Sequence, residues 1–243
     1  MKSMRTLRVV VLCLLCLGTA AAQIPSSPNR SNASGEREGK WTLLFNKDMQ
    51  PVQDADSAVF YSVMTFRAGQ VVDTARTYYR GGALMSSTPY RAGRIEGTVT
   101  GWYENGVKEF ETPYRNGLPH GRERVWHPNG TLRSEVTYEN GRENGVQSEW
   151  FLNGKKKSEI HFSKGVVHGN ATRWFENGTK HTEIPHVNGR VHGTRRDWFE
   201  SGARRAEFRY EQGQRHGLSM EWNEDGSVRS RTMYDKGKVV EGK

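Results

Sequence analysis

The chain has 243 residues, 34% of them hydrophobic, with 36 Lys and Arg against 27 Asp and Glu, a formal net charge of +9 and 27 glycines. That composition supports one or two modest domains with a thin core, and it excludes a large enzyme built around a deep apolar interior.

Residues 1–22 read as a signal peptide: Lys2, Arg5 and Arg8 precede the apolar run Val9–Leu17, and Ala20, Ala21 and Ala22 offer a small-residue cleavage site before Gln23. The expected product is exported, to the periplasm, the cell envelope or the medium. Cleavage removes both cysteines, Cys13 and Cys16, so disulfides, thiolate nucleophiles and Cys-ligated metals are excluded from the mature chain. It also removes three positive charges. No apolar run after residue 22 is long enough to span a bilayer, so no transmembrane span is expected after cleavage. Residues 23–40, rich in Ser, Pro, Asn, Gly and charge, read as a flexible leader. Residues 41–77 turn strand-like and read as a degenerate β cap, with Phe66 and Gly69 on the phase of the later repeats but Ala58 where a turn glycine belongs.

From Tyr78 to Lys243 the chain repeats every 24 residues. Trp102, Trp126, Trp150, Trp174, Trp198 and Trp222 form one column, and Gly106, Gly130, Gly154, Gly178, Gly202 and Gly226 form a second. Further glycine columns begin at Gly93 and Gly97, and an aromatic column runs through Tyr90, Tyr114, Tyr138, Phe162, His186, Tyr210 and Tyr234. A period of this length marks a solenoid or an array. Each unit has two strand-like runs with turn glycines between them and no 3.6-residue pattern, which makes one β-hairpin per repeat. The fold class is all-β: an elongated array of seven antiparallel hairpins in a single-layer, twisted meander sheet.

Pro128 ahead of Asn129-Gly130 suits a three-residue loop, a type I turn followed by a left-handed glycine. The six glycines of the Gly106 column are therefore structural turn residues. Such a loop places Trp126 opposite Leu132, and strict alternation then puts Trp126, Ser134, Val136 and Tyr138 on one aromatic face. The other face carries charge: Arg133 with Glu135, Lys157 with Glu159, and Arg205 with Glu207.

These residues resemble MORN repeats, hairpin units marked by Y-x-x-G and H-G elements. The match is Y-E-N-G-R-E-N-G at Tyr138–Gly145 and V-N-G-R-V-H-G at Val187–Gly193. The pattern is similar to the bacterial MORN-variant proteins grouped as the YwqK family and labelled toxin–antitoxin system antitoxins. That resemblance implies a neutraliser of a toxin, and the export signal would move its action outside the cytoplasm.

His120, His168, His192 and His216 share a column with Glu96 and Asn144. Neighbours in it are two strands apart, about 10 Å, so two of them do not share one ion at the ~2.0–2.1 Å of a Zn–N bond. The expected role is in the turn, with no metal. Glu111, Glu135, Glu159, Glu183 and Glu207 carry the same spacing, and cross-strand charge pairing is expected of them rather than catalysis. No catalytic residues and no cofactor are expected, since catalysis needs one asymmetric site and these positions recur. Acid and base are interleaved in every repeat, with Lys155, Lys156 and Lys157 the one cluster, which argues against nucleic acid. The candidate binding face is Trp102, Trp126, Trp150, Trp174, Trp198 and Trp222 with Tyr114, Tyr138, Tyr210 and Tyr234. The expectation is a non-enzymatic, exported protein-binding or scaffold module. The alternatives are a YwqK-like antitoxin or immunity-type neutraliser and an envelope glycan or lipid-surface binder.

Overall fold

The computed structural model describes residues 24–242; the signal-peptide reading of residues 1–22 lies outside them. Among the described residues there is no helix, and 24 strands, several only two residues long, pair antiparallel in one open sheet. The long strands pair in chain order, and the two-residue strands pair with the long strand beside them. Arg37–Phe45 pairs with Phe60–Arg67, then Gln70–Tyr79, then Leu84–Arg91, and the meander continues to Lys238–Gly242.

One repeat shows how the sequence builds the unit. Gly121–Trp126 and Leu132–Glu139 are joined at a tip where the His127 N–H donates to the Thr131 carbonyl and the Gly130 N–H to the His127 carbonyl, both at 2.8 Å. Pro128, Asn129 and Gly130 are therefore the three-residue loop, with Gly130 at φ 85°. At the opposite end, Asn140 and Gly141 have φ 49° and 78°, both positive, and join Glu139 to Arg142 in a two-residue hairpin. Asn-Gly suits this primed turn because its twist matches that of the flanking strands. Arg142–Glu143 then runs through a bulge at Gly145, φ 102°, into Gly145–Trp150.

The pairing beside the tip alters the expected faces. Trp126 does lie opposite Leu132, but Val125 lies opposite Ser134, so Arg133 is an extra residue in a bulge. One extra residue inverts the parity of everything after it. Trp126 and Leu132 share a face with Arg124 and Glu135, whereas Arg133, Ser134, Val136 and Tyr138 point to the opposite side. The same shift recurs beside every tryptophan from Trp102 to Trp222. The single aromatic face inferred from alternation is thus two: a tryptophan face that also carries the ion pairs, and a tyrosine face. The pairs Arg133–Glu135, Lys157–Glu159 and Arg205–Glu207 are correspondingly separated; Lys157 Nζ lies 3.7 Å from Glu149, and the Arg205 guanidinium stands over Phe199.

No large side chain among the described residues is fully buried, as a single layer dictates. What cover exists is mostly on the tyrosine face, where Thr112, Val136, Ser158, Thr182, Ala206 and Phe208 are buried. Small residues at Ser134, Ser158, Thr182 and Ala206 stand opposite larger ones. The second repeat reverses this, setting Phe110 opposite Gly101.

The segment read as a flexible leader, residues 23–40, makes ordered contacts with the cap: residues 37–40 belong to the strand Arg37–Phe45, Arg30–Ser31 pairs with Arg37–Glu38, Trp41 Nε1 donates to the Arg30 carbonyl, and the Asn29 amide brackets the backbone of Thr42. Composition suggested a flexible leader because it counts apolar surface. Here asparagine turn chemistry and backbone pairing supply the order. The Ala68-Gly69 turn, φ 46° and 72°, repeats the later Asn-Gly geometry, and Ala58 is buried beside Arg80, which donates to the Asp56 and Ala58 carbonyls.

Gly101 is the tightest glycine of the sheet, since a methyl group there would overlap the Phe110 ring. Gly101→Ala is expected to lower stability by about 1–3 kcal/mol, as overpacking does, measured by urea unfolding. Adding Phe110→Ser, which installs the residue of the next repeat, is expected to recover most of that loss.

Candidate functional site

The tryptophan face is a ladder of three interlocked columns. Trp102 through Trp222 are half-buried. A basic side chain from the preceding repeat stands over four of the rings: Lys108 Nζ lies 5.2 Å from the Trp126 centroid, Lys156 5.7 Å from Trp174, Lys180 5.2 Å from Trp198, and the Arg204 guanidinium 6.0 Å from Trp222. Each cation also pairs with the glutamate three residues on: Lys108 with Glu111 at 2.8 Å, Lys180 with Glu183 at 2.7 Å, Arg204 with Glu207 at 2.9 Å, and Lys156 with Glu159. Such contacts are worth roughly 0.5–1 kcal/mol each at exposed sites, so their number matters more than any one.

Between glutamates stand two bridging arginines. Arg124 meets Glu111 at 3.0 Å and Glu135 at 2.8 Å, and Arg196 meets Glu183 at 3.6 Å and Glu207 at 3.2 Å. The Lys108 hydrogen bond holds the Glu111 carboxyl below its ordinary range, and the Lys156 bond does the same for Glu159. These carboxylates are fixed in the ionised form, suited to pairing and unsuited to delivering a proton near neutrality.

The tyrosine column lies back to back with this ladder. Tyr114, Tyr138, Tyr210 and Tyr234 pair across from the bulge glycines Gly97, Gly121, Gly193 and Gly217. Arg215 stands 4.4 Å from the Phe208 centroid and 5.1 Å from that of Tyr234, and donates to Tyr234 Oη at 2.9 Å. Burial pushes the Tyr138 phenol up, with Glu123 and Glu143 adding to it. The ten aromatic residues expected to form one face are therefore two stripes, and one flat ligand does not touch both.

The histidine column acts at the turns. The backbone N–H of Asn140 donates to His120 Nδ1, that of Asn188 to His168 Nδ1 and that of Gln212 to His192 Nδ1, each at 3.4 Å. Glu96 and Asn144 accept from Asn116 and Lys164 in the same way, at 2.7 and 3.2 Å. What these residue types share is an acceptor. Beside this contact, the turn glycine N–H reaches back to a carbonyl 22 residues earlier: Gly117 to Ile95, Gly141 to Pro119 and Gly165 to Glu143, at 2.7–2.9 Å. At the tips, the amides of Asn105, Asn153 and Asn177 donate to carbonyls of the next repeat. Gly106, Gly130, Gly154, Gly178, Gly202 and Gly226 hold φ of 80–95°, and their tips stack on one another.

Three tandem segments, residues 95–116, 119–140 and 143–164, match the family described as MORN repeat variant. No curated protein matches the chain. Repeats of this kind are generally associated with binding proteins or membranes, and proteins built from them are typically not enzymes.

The turn contacts and the ladder each carry a measurable consequence. His168→Asn, the residue used at Asn144, is expected to leave stability near that of the parent, while His168→Leu lowers it by roughly 0.5–1 kcal/mol through loss of the acceptor, read from urea midpoints. For pH, the folded carboxyls of Glu111 and Glu159 titrate below the ordinary 4.5, so they stabilise the fold above that value and the contribution is lost as pH falls through the lowered folded values. The thermal midpoint of Glu111→Gln is expected to fall less than that of the parent on acidification through this range.

Proposed function

We propose that this chain is an exported, non-enzymatic scaffold whose tryptophan face binds a protein. The observation that carries the reading is the column of half-buried tryptophans on one side of a sheet that has no second layer among the described residues. Aromatic and arginine side chains held rigidly in a row are the residue types that anchor protein interfaces. The aromatic rings are already oriented by cations and glutamates, so little side-chain entropy is lost on docking. Export rests on the N-terminal sequence pattern. The finer reading, a YwqK-like antitoxin or immunity-type neutraliser acting outside the cytoplasm, rests on the repeat resemblance.

The test is capture from envelope and secreted fractions with the mature chain, in parallel with Trp174→Ala/Trp198→Ala and, on the opposite face, Tyr138→Ala. The expected result is one protein retained at high salt, lost by the tryptophan variant and kept by the tyrosine variant. A captured protein that is itself toxic supports the neutraliser. Recovery of glycan or lipid alone, or loss only with Tyr138→Ala, contradicts the reading.

A further inference from the structure

On the tryptophan face Arg76 occupies the column of Arg124 and Arg196. Those two arginines are each paired in register with two glutamates, Arg124 with Glu111 and Glu135, Arg196 with Glu183 and Glu207. The residues in register with Arg76 are Val63 and Ser87. Neither supplies a carboxylate. Among the described residues Arg76 forms no ion pair, and neither does Lys40. Both line a depression of about 270 Å³ with Thr65, Thr74, Asp73 and Tyr78.

The surroundings are predominantly basic, and Glu38, on the strand of Lys40, accepts from the Ala68 N–H. Between Tyr61 and Ile95 the bases are Arg67, Arg76, Arg80, Arg91 and Arg94, and the one acid is Asp73. Of these only Arg80 is paired, with Asp56. Strand alternation sets Lys40, Arg67, Arg76, Arg91 and Arg94 on the tryptophan face. Farther along the same face Glu111, Glu135, Glu159, Glu183 and Glu207 each meet a basic side chain. Asp73 stands where later repeats place a bulge glycine and adopts φ 67°, an unfavourable conformation that aspartate tolerates better than most residues. Tyr78, in the tryptophan column, is stacked on Tyr61 at 5.0 Å and forms an aromatic wall to the depression.

We propose that Arg76, with Lys40 beside it, is a binding site for the side-chain carboxylates of an acidic segment of a polypeptide partner, which complete the pairing that glutamates supply within the chain at Arg124 and Arg196. The proposal rests on the protein-binding role proposed for the tryptophan face and names the chemistry of the partner. A guanidinium on a sheet face prefers a bidentate carboxylate. Thr65 and Thr74 line the same depression and bring hydroxyl donors for the second oxygen, and Tyr78 offers an aromatic surface to the stem of an Asp or Glu.

The test uses isotopically labelled mature protein and an N-acetylated, C-amidated hexaglutamate peptide at fixed ionic strength, following the backbone amides of Thr65, Thr74 and Tyr78 by NMR. Saturable shifts are expected, with a dissociation constant on the order of 1 mM or tighter. Arg76→Gln is expected to weaken binding about tenfold or more, and Arg133→Gln, on the tyrosine face, to leave it unchanged. The decisive variant is Ser87→Glu, which supplies an internal carboxylate where Glu135 meets Arg124. It is expected to raise the thermal midpoint and to block the peptide, and Ser87→Asp serves if the first variant folds poorly. Unchanged affinity in Arg76→Gln, or peptide binding by Ser87→Glu at parental strength, overturns the proposal. So does equal or tighter binding of free glutarate, inorganic phosphate or phosphatidylglycerol vesicles, which assigns the site to a free anion or a lipid surface. The titration needs no partner, so its failure leaves the scaffold reading standing, and failed partner capture leaves this site standing.

Discussion

Among the described residues the sheet has no second layer, so most side chains are stabilised by what stands beside them on their own face. That constraint explains why the repeat is so strict. The hydrophobic effect yields little when large side chains stay half exposed, and lateral contacts take its place. Four of the tryptophans lie beneath a cation, each of those cations reaches a glutamate, and two of the gaps between glutamates are closed by arginine. None of these contacts is strong in water. Their repetition at constant spacing makes them a continuous band.

The second consequence concerns the edges. A long flat sheet twists and frays unless its turns are held, and both rows of turns in this protein are hydrogen-bonded to their neighbours. The primed Asn-Gly turns direct two N–H groups toward the preceding hairpin, one to a carbonyl and one to a Glu, Asn or His side chain. The tips direct an asparagine amide forward. Pairing within strands and stapling between turns therefore share one period, and neither works at another spacing. At the N-terminal edge, Arg30–Ser31, Asn29 and Pro51–Val52 cover the backbone of Arg37–Phe45, which limits edge-to-edge association.

Much of the architecture was legible in the sequence because glycine and tryptophan columns report the period directly. The three-residue tip was legible from Pro128 and Gly130. The faces were not, because a bulge leaves no compositional mark: Arg133 beside Glu135 looks like a charged pair on one face, and only the pairing of Val125 with Ser134 shows that it is not. The histidine column was readable through its substitutes, since Glu96 and Asn144 share an acceptor with histidine and not a metal preference. The anchoring of residues 24–40 was hidden by a polar composition. Arg76 resembled any exposed arginine until the register identified Val63 and Ser87 as its neighbours.

The bulge beside each tip turns the tryptophans onto the ion-pair face and away from the tyrosines. Nuclear Overhauser contacts from the Trp126 indole test it most directly. Cross-peaks to the Lys108 side-chain methylenes are expected, and none to the Val136 methyls or the Tyr138 ring. Contacts from Trp126 to Val136 and Tyr138 would contradict it and return the sheet to a single aromatic face.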